Sequence, residues 1–581
     1  MSSGGSSGAI SDAGTSHPTM DAGGTNAAGA NAGGMDAGHT TTCSNASEPT
    51  LTASTTTAAV DVAQSWGNLP HFWSAFGVGR MGLFLQAKDN WGEILKGHLK
   101  DSVRDLGLDR IRGHGIFHDD LGIYHEVAGQ PVYDFTKADQ VMDFLKDAGV
   151  APIVEFGGTP HDLARDPSQT VMAWKMIRSP PKDFGKWRDL IFAFVKHYRD
   201  RYGDAELDRW RYEVWNEADL QYQSPGAFWT GTLDEYFQLY DYTVAGALAA
   251  YPNAKVGGPV ASNPAPLWSA NSGIGATWAG TQFGSAFLSH VKTKNYATGG
   301  TSTPLHWFSY HSWLFLQSGV NDYFTAQKLL ADNGFPNLET SITEFGPTWQ
   351  FGLDPEPQET TQGAAFVAQT MANLATRCHA QGATLPWAYA WWTISDIFDE
   401  GTDRADYPFV GGMGLTSRDG IRKPAYNAFR LLNQMGREQL AFSSSATPGV
   451  GGFAAKDAAG GVQVLLYNGN SPGPGPDKGP YYAVTSTPAV INVTIDHLDP
   501  SRPYDYALYR VDPDHGNAFA AWEAMGKPAK AAISSAQWDQ LRAAMQVEPL
   551  EVAKGICKKQ IQRSISLVSP GIALITLTPS P

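Results

Sequence analysis

Cysteine is scarce. Cys43, Cys378 and Cys557 are the three in 581 residues, and no two stand close together. The spacing shows neither a disulfide framework nor a thiolate metal site, and it leaves the redox compartment open. Positive charge is also short. The first Lys or Arg is Arg80, and 42 Lys and Arg stand against 57 Asp and Glu, a net charge of −15. A phosphate-rich partner needs a basic surface, so nucleic acid is disfavoured. No apolar run reaches the roughly 20 residues of a membrane span. The N-terminus has no basic region followed by an apolar core, so no export signal is legible in it. Several catalytic motifs are missing too. There is no G-x-x-x-x-G-K-[ST] loop for nucleotide phosphates and no G-x-S-x-G elbow for a serine esterase. His125 opens HEVAG like a zinc-protease helix, but the second His is missing.

What is present is strongly partitioned. Residues 1–64 are mostly Gly, Ser, Ala, Thr, Asn and Asp, with Asp-Ala-Gly repeated at Asp12, Asp21 and Asp36. Such a stretch buries too little apolar area to offset its ordering entropy, so it is expected to be a disordered linker. Tethers of this composition often separate an export or anchor signal from a catalytic domain. A secreted, periplasmic or surface-tethered protein is the expectation, with a cytoplasmic one as the alternative.

From residue 65 to 436 short apolar runs alternate with helical patterns. The runs are GVGRMG at Gly77, DRIRG at Asp109, PIVEFG at Pro152, RYEVWNE at Arg211, AKVGGP at Ala254, HWFSYH at His306, SITEFG at Ser341 and PWAYAWWT at Pro386. Between them, KWRDLIFAFVKHYRDRYG from Lys186 places Trp187, Leu190, Ile191, Phe194, Val195 and Tyr198 on one helical face, and Gly203 closes it. Eight strands alternating with helices argue for an α/β fold, a (β/α)8 TIM barrel. From 437 to 581 the runs GVQVLLYN, PAVINVTID, RPYDYALYRV and SPGIALITL alternate in strand fashion. They predict an antiparallel β-sandwich with a helical insert at SAQWDQLRAAMQ.

Barrels carry their chemistry at the C-terminal ends of the strands. The fourth run ends in Asn216-Glu217 and the seventh in Glu344. Strands four and seven lie nearly opposite each other round the ring. Two facing carboxyls are what glycoside hydrolysis needs, one to protonate the leaving oxygen and one to attack or stabilise the anomeric carbon. Aromatics are plentiful, with 18 Trp, 22 Tyr and 27 Phe, which suits clefts that stack sugar rings.

Here the residues resemble a known family. WNEADL with Glu217 and ITEFG with Glu344 look like the acid/base and nucleophile motifs of clan A retaining glycosidases. IRGHGIFHDDLGIY from Ile111, RSPPKDFGKW from Arg178, KVGGP from Lys255, WWTISDIFDE from Trp391, KPAYNAFRLL from Lys423 and VDPDHGNAFAAWEAMGKP from Val511 are similar to glycoside hydrolase family 39, the bacterial β-xylosidase branch. The likeness runs from Trp66 to Pro581. It implies Glu217 as acid/base, Glu344 as nucleophile and Asn216 as the amide on the sugar 2-hydroxyl. It implies His114 and His311 as sugar-binding, Trp392 as the pocket floor, and Asp399 with Glu400 as acids gripping hydroxyls. His118, Asp119 and Asp120 could by type hold a metal. In the matched family this loop lines the pocket, so Asp120 is a substrate contact and neither metal nor cofactor is expected.

The chain also departs from the family. Trp313 stands where relatives carry a Tyr whose hydroxyl helps keep the nucleophile ionised, so that job is open or passes to Tyr310. Asp399 is one methylene shorter than the usual Glu, and Phe345-Gly346-Pro347 follows the nucleophile. The expected function is a retaining exo-glycosidase, a β-xylosidase releasing xylose from xylo-oligosaccharides, with the oligosaccharide as its partner. The alternatives are the same chemistry on a uronic acid, arabinose or galactose unit, or a non-catalytic carbohydrate-binding barrel.

Overall fold

A computed structural model describes residues 43, 49–220, 227–262, 283–313, 318–348, 357–400, 406–469 and 488–580. After strand β1 (Thr56–Asn68), eight parallel strands close a barrel. They are β2 (Ala75–Arg80), β3 (Arg110–His114), β4 (Ala151–Phe156), β5 (Arg211–Val214), β6 (Val256–Ala261), β7 (Trp307–Ser312), β8 (Glu339–Phe345) and β9 (Ala388–Trp391). Their order round the ring is their order in the chain, and β9 closes on β2. Each falls on one of the eight apolar runs. Almost every residue in them is buried. Parallel strands covered on both faces read as continuous apolar runs for that reason.

The helices follow the same logic. The helix Phe184–Tyr202 buries Trp187, Leu190, Ile191, Phe194, Val195 and Tyr198, and the Asp183 side chain caps its N-terminus through the Lys186 amide. At the far end of the barrel from the catalytic face, Ala75, Ile153, Trp307, Ala388 and Ala390 form a small core of their own. Trp307 fits because residue 257 is glycine: a Cβ there would lie 2.5 Å from the Trp307 Nε1.

Apart from two short two-stranded sheets, Tyr124–Val127 with Gln130–Tyr133 and Thr170–Val171 with Met176–Ile177, the remaining strands form one nine-stranded sheet. They are β10 (Glu438–Ser444), β11 (Val450–Lys456), β12 (Val462–Asn468), β13 (Ala489–Asp496), β14 (Tyr504–Val511), β15 (Glu551–Ile556), β16 (Ile561–Leu567) and β17 (Gly571–Pro579), with β1 inserted between β10 and β13. All pairings are antiparallel except β1 with β13. Alternate residues divide between two cores, as strand geometry demands. Phe453, Leu465 and Leu574 join the barrel's core, whereas Ala454, Val464 and Ile575 pack with Val60, Ile491 and Ile565.

Two expectations are corrected here. The segment 1–64 is not a linker throughout. Residues 1–42 and 44–48 lie outside the described residues, but Thr52 already donates its amide to Ser564 and β1 is an interior strand. Thr56, Ala58 and Val60 are its buried positions, so a mostly small-residue composition conceals a period-two pattern. The sheet therefore draws on residues before the barrel, not on 437–581 alone. Cysteine spacing also misled: Cys43 and Cys557 are joined in a disulfide across 514 residues, a pairing that only the fold brings together. Cys378 is buried and free.

Because Val60 is 2% exposed between two neighbouring strands, Val60→Asp is expected to cost about 3 kcal/mol. Urea denaturation measures this. A loss below about 1 kcal/mol would show that β1 contributes little to the fold.

Candidate active site

The strand ends converge on one buried cation. Arg112, the middle residue of β3, is fully buried. Its Nε donates to Glu213 at 2.5 Å, its Nη1 to Glu344 at 2.5 Å, and its Nη2 to Glu155 at 2.7 Å and to Asn216 Oδ1 at 2.9 Å. Strand register pairs Glu155 on β4 with Glu213 on β5. A guanidinium offers donors in a fixed fork, so this one side chain sets the positions of three carboxylates and an amide.

The two glutamates singled out by sequence meet in this site. Oxygens of Glu217 and Glu344 and a ring nitrogen of His311 all lie within 4.8 Å of one another. His311 Nδ1 is 2.6 Å from Glu217 Oε1 and 3.5 Å from Glu344 Oε2. Among the described residues this is the one group of donors that could converge on a metal ion. Arg112 against Glu344 opposes a divalent cation there by charge repulsion.

The environments of the two glutamates differ. Burial pushes Glu217 up to about 7, against the opposing pull of His114 and Arg112. Its direct partner is a neutral imidazole, because burial pushes His311 down to about 4. Burial also raises Glu344, with His311, Arg112 and His114 acting against it, but its direct partner is a permanent cation. His114 is a second cation. Burial lowers it, but Glu155 and Glu400 outweigh burial and carry it to about 9. Its Nδ1 is 2.6 Å from Glu155, and its Nε2 lies 3.5 Å from Glu344 and 3.6 Å from Glu400.

Backbone geometry aims Glu217. Trp215 and Glu217 take φ of 72° and 43°, in the left-handed region. Trp215 is held there by its Nε1 donating to Phe228 O at 2.8 Å and by edge packing on Trp229. The Glu217 amide donates to Val260 O at 2.9 Å.

The other expected site residues divide. Trp392 lies beside His114, ring centroids 4.7 Å apart, with Arg112 over its face at 5.5 Å. Gly77 makes room for it, since a Cβ there would fall 2.0 Å from the Trp392 ring. Glu400 joins the cluster through His114, and burial pushes its carboxyl up to about 8. Asp399 and Asp120 are both bonded to Arg80, and Asp120 also meets His118 at 2.7 Å. Trp313 is half-buried against Gly346. Tyr310 does not take over a role at Glu344. Its ring packs near Phe308, and its hydroxyl is buried with no hydrogen-bond partner.

Sequence reasoning missed Glu155, Glu213, Arg80 and Trp174. A charged residue inside a buried apolar run was the available signal for the first two. Trp174 sits on a short two-stranded turn between Thr170 and Ile177, 5.1 Å from the His118 ring, and nothing in its local pattern marks it. Glu155 Oε1, Glu213 Oε1, His311 Nε2, Trp174 Nε1, Asp399 Oδ1 and Glu400 Oε1 are buried without a hydrogen-bond partner. Clustered unpaired donors and acceptors suit a ligand rich in hydroxyls.

The family profile described as Glycosyl hydrolases family 39 matches residues 57–554. The chain belongs to that family. Family 39 membership makes it a glycoside hydrolase, and similar proteins agree. A β-xylosidase of Geobacillus stearothermophilus is 30% identical over 468 residues, 78% of this chain and 82% of its own. The crystal structure of a monomeric β-xylosidase from Caulobacter crescentus CB15 has a TM-score of 0.73 at 27% identity, covering 90% of this chain and 100% of its own. An α-L-iduronidase of Canis lupus familiaris is 28% identical over 206 residues, 34% of this chain and 29% of its own.

Removing Arg112 from this family 39 site leaves three buried acids with no common cation. Arg112→Met is expected to cost about 3–5 kcal/mol at pH 7. The deficit should shrink at pH 5, where the stranded carboxyls protonate. Denaturant midpoints at the two pH values measure this. A pH-independent deficit would contradict the electrostatic account.

Proposed function

We propose that this glycoside hydrolase is a retaining exo-β-xylosidase acting on xylo-oligosaccharides. The observation that carries retention is the proximity of Glu217 and Glu344. Nearest oxygens within 4.8 Å suit a retaining pair, with carboxyls about 5–5.5 Å apart, better than an inverting pair at about 6.5–9.5 Å.

Glu344, ionised against Arg112, attacks the anomeric carbon. Glu217 gives its proton to the departing glycosidic oxygen as that bond breaks. The sugar is then esterified to Glu344, and Glu217 is a carboxylate. A water takes the place of the leaving group and gives its proton to Glu217. Its oxygen attacks the anomeric carbon, and Glu344 leaves as the carboxylate. Asn216 spends its Oδ1 on Arg112, which leaves its amide group to donate to the 2-hydroxyl. His114, His311, Trp392 and Glu400 line the sugar pocket. Trp313 borders its rim, and Asp399 and Asp120 reach it beside Arg80.

The sugar assignment is supported by the two β-xylosidases reported above. The Cys43–Cys557 disulfide supports passage through an oxidising compartment, and with it a secreted role in xylan breakdown.

The reading predicts that kcat/KM on an aryl β-xyloside falls as pH rises through about 7, where Glu217 loses its proton. Glu344→Ala should lower turnover at least ~10⁴-fold on every substrate. Glu217→Ala should lose roughly 10²–10⁴-fold on poor leaving groups and less on activated aryl glycosides. Azide should rescue the latter variant to give the β-azide. A 2-fluoro xyloside should label Glu344. Label on Glu217, or a first-formed product of inverted configuration, would refute the assignment.

A further inference from the structure

We infer that Arg80 determines the charge class of the sugar: clamped by Asp399 and Asp120, it admits a neutral ring and excludes a carboxylated one. The inference rests on the sugar-pocket reading above and extends it.

Arg80 is the last residue of β2, and strand register pairs it with His114. That places it on the catalytic face, one strand from the His114 that stands 3.5 Å from Glu344. Arg80 is 7% exposed, so its charge demands partners. Nε and Nη2 both donate to Asp399 Oδ2, at 3.0 and 2.7 Å, and Nη1 donates to Asp120 Oδ2. The Trp174 ring covers it, 5.8 Å from the guanidinium carbon. The neighbouring glycine makes this clamp possible. A Cβ on residue 82 would lie 2.0 Å from Asp120 Oδ2 and 2.7 Å from Arg80 Nη1.

The consequence is electrostatic. A sugar carboxylate needs a cation with free N–H groups, held in a fork. Arg112 is committed to Glu155, Glu213 and Glu344, and Arg80 to two aspartates. His114 already faces Glu155, Glu344 and Glu400. A uronate would add negative charge to a pocket where, among the described residues, acids outnumber cations. A neutral sugar meets the opposite situation. Asp399 Oδ1 and Glu400 Oε1 are buried acceptors without a hydrogen-bond partner, and hydroxyls can donate to them. Family membership does not make this choice, because similar proteins include both β-xylosidases and α-L-iduronidases. Rejection of the wrong sugar by like charge is specificity achieved through repulsion.

Calorimetric titration of the whole protein with D-xylose and with D-glucuronate tests this. Binding requires no turnover, so inactivity on aryl xylosides would count against the proposed reaction alone. Wild-type protein should bind xylose the more tightly. Asp399→Asn, and more so Asp120→Asn/Asp399→Asn, should move the Kd ratio toward glucuronate, the double variant by at least ~10-fold. Adding Arg80→Gln to the double variant should abolish that shift, because the freed cation is what captures the carboxylate. Circular dichroism and Tm verify that each variant folds, and Asp399→Asn alone carries the same sign if the double variant does not. A wild type that prefers glucuronate overturns the inference. So does a ratio within ~3-fold of wild type in the folded variants, or a shift that survives Arg80→Gln. A wild type that binds neither sugar overturns it together with the pocket on which it rests.

Discussion

The site depends on one guanidinium. Arg112 lies where water cannot reach, and burying its charge alone would cost several kcal/mol. Partners from β4, β5 and β8 offset that cost. These strands are spread round the ring, so the contacts that neutralise Arg112 also fix the barrel's catalytic end. Three carboxylates exceed one cation, however. The excess is met by His114, which burial would leave neutral and which Glu155 and Glu400 keep charged. The order of ionisation follows from which groups touch. Glu344 touches Arg112, Glu217 touches a neutral His311, and the two acids are driven toward different roles without differing in burial.

The order Trp215-Asn216-Glu217 has a mechanical explanation. The chain must leave β5 and turn sharply enough to bring an amide and an acid into the same cluster beside Arg112 and His311. It does so through two non-glycine residues in the left-handed region, at a cost of about 1–3 kcal/mol each. A glycine would relieve the strain but would also let the acid wander. The indole of Trp215 instead pins the turn, bonded to Phe228 O and packed on Trp229. The tryptophan thus serves the acid without touching the sugar.

How much of this was legible in sequence follows from the range of each signal. The eight strands were visible because burial on both faces writes a local run of apolar residues. Asn216, Glu217 and Glu344 were visible because barrels put chemistry at strand ends. The helix Phe184–Tyr202 was visible through its period. What escaped depended on contacts distant in sequence. Glu155 and Glu213 are explained by Arg112 from another strand. β1 looked like low-complexity chain because two of its three buried positions, Thr56 and Ala58, are small residues. Cys43 finds Cys557 only once the sheet is assembled. Trp174 reaches His118 on a loop whose course no periodicity encodes, and Arg80, at the end of β2, is explained by Asp120 and Asp399 far away in sequence.

The sheet's part in the chemistry is indirect and still specific. It shares a core with the barrel through Phe453, Leu465 and Leu574, so the two are stabilised together. The insert between β14 and β15 reaches further. Phe519 and Trp522 pack on Phe409, each at 5.3 Å, and the Lys530 amide donates to Asp406 O at 2.8 Å. Those contacts grip the chain that follows Asp399 and Glu400. On the near side, Lys423 is buried between Asp396 and Glu359, which anchors the stretch preceding the same two acids. Asp399 and Glu400, the carboxyls that the proposed function sets against sugar hydroxyls, are therefore supported from both sides, and one support comes from a domain none of whose described residues joins the cluster round Glu217 and Glu344. Rigid support of this kind is what a loop needs before it can discriminate between rings that differ by a single substituent.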